Sequence, residues 1–550
     1  MSRSDPSDRP ERRPNVVLVM VDDMGYADVS PYGGEIDTPN LQSLADDGLR
    51  FTQFYNYARC CPTRASLLTG LHPHQTGIGH MTNPPDDPEK HDRGVPNYQG
   101  HLDDGCVTLA EVLGNAGYRT MASGKWHLGQ HERADRPLQR GFDRYYGHLA
   151  GATNYFDPSG GQGLSRGDGE PGSVDPESTT DRRYYTTDAF TDHGIDFVEE
   201  TLDAGDDPFF LYLPYNAPHW PLQAHEDVVE KYRGEYSDGW DALREQRYRR
   251  QLDLGLFEED WAPLSDRVGP EWEDLPAEKR EEMDERMAIY AAQVEIVDRN
   301  VGRLVDALER RGELDDTLFL FLSDNGACAE FDMLGSGPAE KLNEADLGPG
   351  EGFSPLISSY GEAWAHASNT PFRKYKRWVH EGGAATPFVV HWPSGLDDGD
   401  GDWRRQPAYL PDVMATLVDL TGAEYPDTRD GVDVPPVEGT SLLPAFDGDP
   451  LDRGEPMFME HEGNRFVRDG RWKLVSAGSE GDYGGPDSWE LFDMDADRTE
   501  STDLSAERPA VVERLREAWW EWAERVGVVP NGRGVESYAD FLAQVENDGG

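Results

Sequence analysis

One short stretch of the chain places a candidate nucleophile beside an arginine at a predicted helix N-terminus. The residues Cys60-Cys61-Pro62-Thr63-Arg64 are followed by a run that ends at Gly70. Pro62 suits the first turn of a helix, because its missing N–H would be unpaired there, and Gly70 is a typical helix stop. Cys60 should therefore lie just before a helix N-terminus, where backbone N–H groups and the helix dipole favour negative charge. With Arg64 one turn away, this arrangement predicts a nucleophile that attacks an anionic group.

Two other interpretations of this cysteine differ in strength. A buried cysteine beside a helix end is a common structural feature, since free cysteine usually behaves as a small apolar side chain. A cysteine-dependent phosphatase would need an arginine six residues after the nucleophile. Ser66 stands at that position after Cys60, and this excludes the phosphatase pattern.

Oxygen-bearing side chains follow two apolar runs that are typical of strands buried on both faces. Asp22 and Asp23 follow residues 16–21, and Asp324 and Asn325 follow residues 317–322. Polar residues at the carboxyl ends of strands lie where open α/β sheets bind their ligands. If the two strands are parallel neighbours, four oxygen donors converge, three of them anionic. Such hard ligands, without Cys or His, favour Ca²⁺ or Mg²⁺ over zinc.

The two adjacent aspartates need a turn in order to share one ligand. On a continuing strand Asp22 and Asp23 would point to opposite faces, and Gly25 permits the chain to turn. An Asp-Asp pair after a strand is also what a solvated turn contains. The second motif, Asp324 and Asn325 after an equally apolar strand, strengthens the prediction of a metal site.

Lys125 and His127 form a candidate site for an anion and a hydroxyl group. They are two residues apart at the end of a predicted strand, so on an extended chain they project to the same side. The alternative is an exposed lysine and a packing histidine. Only eight of the 51 basic residues are lysine, and Lys125 lies between Gly124 and Trp126, which favours a functional interpretation.

His219 is a candidate proton donor. It lies between Pro218 and Pro221, just past the apolar strand predicted at residues 208–215. A rigid turn and an ionisable ring at a strand end suit general acid catalysis. A histidine with a structural role is the alternative.

The eleven residues from Cys60 to Gly70 resemble the signature of the sulfatase family, Cys-x-Pro-x-Arg followed by Thr-Gly. The resemblance extends from Val16 to the C-terminal helix and is closest to the arylsulfatase type, with Asn-Thr-Pro-Phe-Arg at residues 369–373. The family is part of the alkaline phosphatase superfamily. In this family the first cysteine is oxidised to formylglycine, whose hydrate is the nucleophile, and the resemblance assigns that modification to Cys60 and not to Cys61.

The resemblance also implies a metal, a sulfate clamp and a maturation partner. The family's divalent-metal ligands match Asp22, Asp23, Asp324 and Asn325, with calcium the more usual ion and magnesium the alternative. A lysine five residues before Glu-Gly-Gly binds the sulfate group, and that spacing selects Lys376. A solvated basic run is the alternative for that lysine. A formylglycine-generating enzyme is expected to convert Cys60.

The reaction implied by the family begins with the metal and Arg64, which hold the hydrate at position 60 and polarise a sulfate oxygen. Lys125 and Lys376 neutralise charge on the group being transferred.

The family also implies three proton transfers. One hydroxyl of the hydrate, deprotonated by Asp324, attacks sulfur, and His219 protonates the departing alcohol. His127 then takes a proton from the second hydroxyl, and sulfate leaves.

Three functions remain as alternatives on the same residues. Relatives that share Cys-x-Pro-x-Arg cleave phosphonate or phosphate esters. Cys60 could stay a thiol, and the metal could serve only a non-catalytic binding module. Aryl, sugar and choline-type sulfates all remain open as substrates, whether small molecules or saccharides.

The charge composition excludes some partners and predicts a salt dependence. The 550-residue chain has a net charge of −55, with 106 acidic residues spread along it. Nucleic-acid binding by bulk charge is therefore excluded. An acidic, lysine-poor surface resembles those of halophilic proteins from salt-loaded cytoplasm, where self-repulsion is screened.

Targeting signals and a disulfide framework are not evident in the sequence. The apolar run at residues 16–21 is too short for a signal sequence or a membrane span. Four cysteines do not form a disulfide framework in a chain of this size. A cytoplasmic protein without a membrane partner is therefore expected, although many sulfatases are exported.

The predicted fold is α/β, with a large central, mostly parallel mixed sheet flanked by helices. A smaller C-terminal α+β domain should hold a four-stranded antiparallel sheet and a helix, since short strands joined by tight turns precede an amphipathic helix at residues 509–526. The expected organisation is a polar tail at 1–14, a catalytic domain at 15–440 and a C-terminal subdomain at 441–550.

Overall fold

The computed structural model describes residues 13–84, 86–158, 163–177, 182–344, 357–396, 401–477 and 489–529. The predicted N-terminal tail lies outside the described residues except for its last two positions. Among the described helices, every one is too short or too polar to cross a membrane.

A large mixed sheet organises the molecule. Within the described ranges it has ten strands in the order β10, β2, β8, β7, β1, β6, β3, β4, β5, with β9 beside β2. Its strands are β1 (Asn15–Asp22), β2 (Leu49–Tyr55), β3 (Arg119–Lys125), β4 (Arg144–His148), β5 (Ser165–Arg166), β6 (Phe209–Pro218), β7 (Thr317–Ser323), β8 (Ala385–His391), β9 (Asp402–Arg404) and β10 (Ala408–Tyr409).

The central strands β7, β1, β6, β3 and β4 are parallel, and β8 runs antiparallel to both β2 and β7. Every residue of β1, β6 and β7 is buried. Continuous apolar runs are typical of parallel strands covered on both faces, which is why these three were predictable from the sequence.

Helices cover the sheet. The described helices are α1 (Pro39–Asp46), α2 (Cys60–Thr69), α3 (Leu109–Asn115), α4 (Thr186–Ala204), α5 (Glu226–Tyr232), α6 (Gly239–Asp253), α7 (Ala277–Arg311), α8 (Gly361–Ser368), α9 (Glu381–Ala384), α10 (Pro411–Thr421), α11 (Leu443–Phe446) and α12 (Pro509–Val526). The longest, α7, packs against α1, α4, α5 and β6. Thr108 and Glu111 form a reciprocal capping box at the start of α3, which fixes the helix that precedes β3.

A second, smaller sheet follows the first in the chain. After a short hairpin of β11 (Thr428–Arg429) and β12 (Val432–Asp433), the strands β13 (Met457–His461), β14 (Asn464–Asp469), β15 (Trp472–Ser476) and β16 (Glu490–Asp493) form an antiparallel sheet in that order. Helix α12 covers it, with Trp522 stacked on Phe458 at a ring-centroid distance of 5.4 Å. The predicted fold class is thereby confirmed, while the boundary at residue 440 stays a prediction.

The excess of acidic residues predicts that salt stabilises this fold. Raising NaCl from low concentration to ~1 M shortens the Debye length to about 3 Å and screens repulsion within a chain of net charge −55. We expect the Tm to rise by at least about 5 °C, the shift that a few kcal/mol produces in a large domain. An uncharged osmolyte serves as the control, because it stabilises a fold through exclusion from the protein surface and does not screen charges. A Tm that is equal at both salt concentrations would reject the prediction.

Candidate active site

The two predicted acidic motifs meet at one edge of the sheet. β1 and β7 are parallel neighbours, with Val21 paired to Ser323. The backbone N–H of Asp23 donates to Oδ1 of Asp324 at 3.1 Å, and the side-chain amide of Asn325 donates to Oδ1 of Asp23 at 2.7 Å. The structure therefore brings Asp22, Asp23, Asp324 and Asn325 together, as predicted.

The chain turns in two places after β1. Asp23 itself adopts a left-handed backbone conformation with φ of 71°, and the N–H of Asp28 donates to the carbonyl oxygen of Gly25 at 3.4 Å in a second turn. Gly25 is required for a steric reason. A Cβ at that position would lie 2.4 Å from the carbonyl oxygen of Ser368, so only glycine permits this close approach of two backbone segments.

Each carboxylate of the cluster has a buried cation beside it. Nη2 of Arg64 lies 2.9 Å from Oδ2 of Asp324 and 3.8 Å from Oδ1 of Asp22. Two lysines complete the set, since Nζ of Lys125 contacts Oδ2 of Asp22 at 2.5 Å and Nζ of Lys376 lies 2.7 Å from Oδ1 of Asp23. All of these side chains are nearly or fully buried.

Two buried oxygens of the cluster fit the ligand sphere of a divalent cation. Among the described residues, Oδ1 of Asp22 and Oδ1 of Asn325 have no hydrogen-bond partner. A buried acceptor without a donor is costly, and a bound ion would satisfy both atoms. The donors are carboxylate and amide oxygens, which suit Ca²⁺ or Mg²⁺. The residues present therefore fit the divalent metal that the sequence predicts.

The two carboxyl groups that flank Arg64 differ in basicity. Burial raises the pKa of Asp22, but Lys125, His219 and Arg64 outweigh it and hold that pKa well below its usual range. Burial and the neighbouring charge of Asp22 raise the pKa of Asp324 well above its ordinary value. The pKa values of two adjacent acids are thus shifted in opposite directions, and the role of Asp324 as the proton acceptor stays a prediction.

Cys60 is the first residue of α2, within a helix that is buried throughout. A hydrogen bond with Cys61 and the positive charge of Lys125 lower the pKa of the Cys60 thiol well below its ordinary value, against the effect of burial. Burial raises the pKa of Cys61. Of the two adjacent thiols, Cys60 therefore ionises more readily, while its conversion to formylglycine stays a prediction.

Lys125 and His127 both reach the site, although not by the extended geometry that the sequence suggested. β3 ends at Lys125, and His127 has φ of 56° in the left-handed region. The turn brings the His127 imidazole within hydrogen-bonding reach of Cys60, and burial lowers its pKa to about 4. His127 is thus neutral near pH 7 and can accept a proton.

Gly151, which the sequence did not single out, leaves room for the His127 ring. A Cβ on Gly151 would lie 2.7 Å from Nε2 of His127, closer than the two atoms can approach. We expect Gly151→Ala to displace the imidazole and to lower kcat/KM by about 10- to 100-fold with little change in Tm, since a misplacement of about 1 Å has effects of this size. Steady-state kinetics and thermal melting measure the two quantities.

Gly454→Ala is the matched control, because its Cβ would meet nothing within 4 Å. Wild-type kinetics in Gly151→Ala would contradict the prediction and show that the position of His127 does not depend on this glycine.

His219 follows β6 and faces the acidic cluster. Because the carbonyl of Trp220 can only accept, Nδ1 of His219 is the donor in their 2.7 Å hydrogen bond. The other ring nitrogen, Nε2, faces the site and lies 3.5 Å from Oδ2 of Asp23. Burial lowers the pKa of His219, and the carboxylates of Asp23 and Asp22 act in the opposite direction. The ring therefore presents one defined nitrogen to a substrate.

Glu330 and Arg59 lie at the mouth of the site, and the sequence did not indicate their roles. Glu330 accepts a hydrogen bond from Nη1 of Arg59 at 2.8 Å and another from Nε1 of Trp220 at 3.1 Å. Arg59 precedes Cys60, and Trp220 follows His219. Glu330 thus connects the segment of the nucleophile with that of the proton donor, but it lies in a loop whose composition predicts only flexibility.

Comparison with known sequences identifies the family of this chain. The family model described as Sulfatase matches residues 14–423. An uncharacterized sulfatase of Schizosaccharomyces pombe is 34% identical over 539 residues, which cover 94% of this chain and 95% of the relative. An arylsulfatase of Klebsiella aerogenes is 32% identical over 443 residues, which cover 78% of this chain and 92% of the relative.

Solved structures share the fold. Ps i-CgsB in complex with k-i-k-neocarrahexaose has a TM-score of 0.67 and 25% identity, over 98% of this chain and 99% of that one. The phosphonate monoester hydrolase of Agrobacterium radiobacter has a TM-score of 0.54 and 20% identity, over 94% and 96% of the two chains. At that lower identity the likeness shows the fold alone.

The family expected from the Cys60 motif is confirmed by these matches, while the roles of the individual site residues stay predictions. A family model that spans residues 14–423 and relatives above 30% identity over most of the chain establish that the protein belongs to the sulfatase family and is a sulfuric ester hydrolase.

Proposed function

We propose that the protein hydrolyses sulfate monoesters with a formylglycine made from Cys60 and a divalent cation held by Asp22, Asp23, Asp324 and Asn325. The observation that carries the proposal is the surroundings of Cys60. The charges of Lys125 and Lys376 act on this thiol, and the neutral imidazole of His127 lies within hydrogen-bonding reach of it. The acidic cluster lies beside the same two lysines. This combination of a nucleophile, cations and oxygen ligands suits the transfer of an anionic group.

The two implied groups supply the chemistry that the side chains lack. A bound Ca²⁺ or Mg²⁺ would polarise an ester oxygen, and a formylglycine hydrate would offer the attacking hydroxyl. Oδ1 of Asp22 and Oδ1 of Asn325 are the oxygens without a partner among the described residues, so they are the ligands that most need the cation.

Arg64, Lys125 and Lys376 would bind and orient the sulfate group. Each of them is buried and fixed on a carboxylate of the cluster, so their charges need no reorganisation when the ester binds. Fixed charges in a site without water stabilise a developing negative charge more strongly than flexible charges in solvent.

Three groups would move the protons. Asp324, whose pKa is raised by burial and by Asp22, accepts the proton of the attacking hydroxyl. In the imidazolium form, which the carboxylates of Asp23 and Asp22 favour, His219 gives the proton on Nε2 to the departing alcohol and keeps the one on Nδ1. The neutral imidazole of His127 accepts a proton when the sulfate is released. Each step needs the donor or acceptor within hydrogen-bond reach of the reacting oxygen.

The substrate proposed is a small-molecule or saccharide sulfate ester. The arylsulfatase of Klebsiella aerogenes supports the first class, and the oligosaccharide bound by Ps i-CgsB supports the second. Maturation would require a formylglycine-generating enzyme that recognises the segment around Cys60.

The test begins with peptide mass spectrometry across residue 60 in protein from its native host. We expect an aldehyde or its hydrate at position 60 and an intact thiol at Cys61. The same protein should hydrolyse 4-nitrophenyl sulfate, and removal of divalent cations with a chelator should abolish turnover until Ca²⁺ or Mg²⁺ is restored. An unmodified thiol in active protein would reject the mechanism.

Hydrolysis of phosphonate or phosphate esters is the alternative function, favoured by the fold shared with the phosphonate monoester hydrolase. A panel of 4-nitrophenyl sulfate, 4-nitrophenyl phosphate and a phenylphosphonate monoester separates the two. The sulfate ester should have the highest kcat/KM, and a phosphonate preference would reverse the assignment.

A further inference from the structure

The mouth of the site has an aromatic wall next to the proposed proton donor. The ring centroids of His219 and Trp220 are 4.4 Å apart, and those of Trp220 and Phe331 are 5.5 Å apart at an interplanar angle of 54°. Phe331 is 36% exposed, one of three large apolar side chains exposed among the described residues. Trp220 and Phe331 therefore form a partly open aromatic corner whose inner end is at His219.

Glu330 connects this aromatic corner to Arg59, the residue before Cys60. Its two carboxylate oxygens are engaged separately, one by Nη1 of Arg59 at 2.8 Å and the other by Nε1 of Trp220 at 3.1 Å. The indole is thus held by a charge-assisted hydrogen bond. A preorganised aromatic surface binds a ring without first losing side-chain entropy.

Positive charges at the mouth are matched by carboxylates. Arg59 is paired with Glu330, Lys376 with Asp23, and Nε of Arg377 with Oε2 of Glu462 at 2.6 Å. The side chain of Glu330 is 30% exposed, so its negative charge is accessible from the entrance. The net charge of the whole chain is −55, and it adds a field that opposes the entry of multiply charged anions.

We propose that Trp220 and Phe331 bind the ring of the leaving alcohol, and that Glu330 makes this subsite select rings that carry no second negative charge. The inference rests on the proposed function, because it places the departing oxygen at Nε2 of His219. A ring attached to that oxygen lies next to the residue that follows His219 in the chain. Aromatic faces bind flat rings with an apolar face, and a carboxylate beside them repels a second anionic group.

The aromatic wall is tested with Trp220→Ala and 4-nitrophenyl sulfate. We expect KM to rise by about 10-fold or more, since stacking on an aromatic side chain has effects of this order. The Ki of inorganic sulfate, which has no ring, should stay within about 2-fold because the buried cations that bind it are retained. Trp220→Phe should restore most of the affinity.

Two further variants separate local effects from folding effects. Phe331→Ala removes the more exposed ring and should raise KM in the same direction. Trp403→Ala removes a partly exposed indole on β9 that packs against Arg50, far along the chain from the site, and should leave KM unchanged. Parallel assays with 4-nitrophenyl sulfate and a neutral monosaccharide monosulfate show which ring, aryl or pyranose, loses more affinity in Trp220→Ala.

The charge selection is tested with two substrates of similar shape, 3-carbamoylphenyl sulfate and 3-carboxyphenyl sulfate. We expect the wild type to prefer the neutral ester by at least about 10-fold in kcat/KM, and Glu330→Gln to reduce that ratio to within about 3-fold, since a repulsive charge is removed and Arg59 is released. The ratio is compared within each variant, so a general loss of activity does not affect it.

The possible results separate this inference from the proposed function. Absence of 4-nitrophenyl sulfate hydrolysis in the wild type would defeat both. An active wild type whose KM is unchanged in Trp220→Ala and in Phe331→Ala would overturn the aromatic subsite alone. A substrate ratio that Glu330→Gln leaves unchanged would overturn the charge selection.

Discussion

Cys60→Ala removes the proposed nucleophile, and we expect it to lower kcat for 4-nitrophenyl sulfate by at least about 10⁴-fold, because loss of a covalent nucleophile leaves only binding and electrostatic stabilisation. Cys60 is the first residue of α2 and is 3% exposed, so alanine should fit without altering the fold. Steady-state kinetics with protein from the native host, together with thermal melting, gives the measurement.

Cys61→Ala is the matched control, because it removes the neighbouring thiol that is not the proposed nucleophile. Sγ of Cys61 lies 3.8 Å from the carbonyl oxygen of His80 and 3.6 Å from the sulfur of Met81. We therefore expect Cys61→Ala to retain the aldehyde at position 60 and activity within about 10-fold of the wild type, as for a packing change next to a site.

Full activity in Cys60→Ala would reject the assignment of the nucleophile. Equal losses in the two variants, with the aldehyde present at position 60 of Cys61→Ala, would instead show that Cys61 takes part in the reaction. In the unconverted chain, ligand atoms of Cys60, Cys61 and His127 lie within 4.8 Å of one another. A soft metal such as zinc favours that set, so metal analysis of any unconverted protein completes the test.

The sheet and the acidic cluster could be predicted because their signals are local. The runs before Asp22 and Asp324 are apolar without interruption, which identifies strands buried on both faces, and the polar residues that follow mark the functional edge. The pairing of β1 with β7 then sets Val21 opposite Ser323 and the two motifs beside each other. The sequence pattern could not predict the direction of each side chain, because Asp23 adopts a backbone conformation that few non-glycine residues adopt.

Contacts between distant segments left no comparable signal. Glu330 meets Arg59 and Trp220 across long separations in sequence, and its loop has an ordinary acidic composition. The scarcity of lysine was the one feature of the composition that indicated a buried residue. It drew attention to Lys125, and the same feature applies to Lys376 and Lys473, the other two lysines buried among the described residues.

Lys473 joins the small sheet to the large sheet through buried charges. Its Nζ lies 2.6 Å from Oε1 of Glu381 and 2.8 Å from Oε1 of Glu500, and all three side chains are fully buried. Arg498 also pairs with Glu381. Tyr55 at the end of β2 donates to Glu381 at 3.0 Å. The network therefore connects β15 and the segment after β16 to α9 and the main sheet.

Lys473→Met should lower the free energy of unfolding by about 3–5 kcal/mol, because removal of one partner leaves a buried carboxylate without its compensating charge. Methionine has nearly the same length, so the loss reflects charge more than volume. The midpoint of urea unfolding, measured in ~1 M salt where self-repulsion is screened, gives the change.

Lys231→Met is the matched control, since Lys231 also contacts two carboxylates, Asp37 and Glu295, but is 40% exposed. Exposed ion pairs contribute little, and we expect a loss below about 1 kcal/mol there. Equal losses in the two lysine variants would contradict the buried-charge explanation and indicate that the network adds no more than surface pairs do.

The same variant should also affect the active site. Glu381 begins α9, and the carbonyl of Gly383 in that helix accepts a 3.0 Å hydrogen bond from the backbone of Gly326, the residue after Asn325. A shift of α9 would therefore reach the proposed metal ligands and the segment that carries Lys376. Under conditions where both variants are folded, we expect kcat/KM to fall in Lys473→Met and to stay at the wild-type level in Lys231→Met. Unchanged kinetics in a destabilised Lys473→Met would show that the network stabilises the contact between the two sheets and has no effect on the reaction.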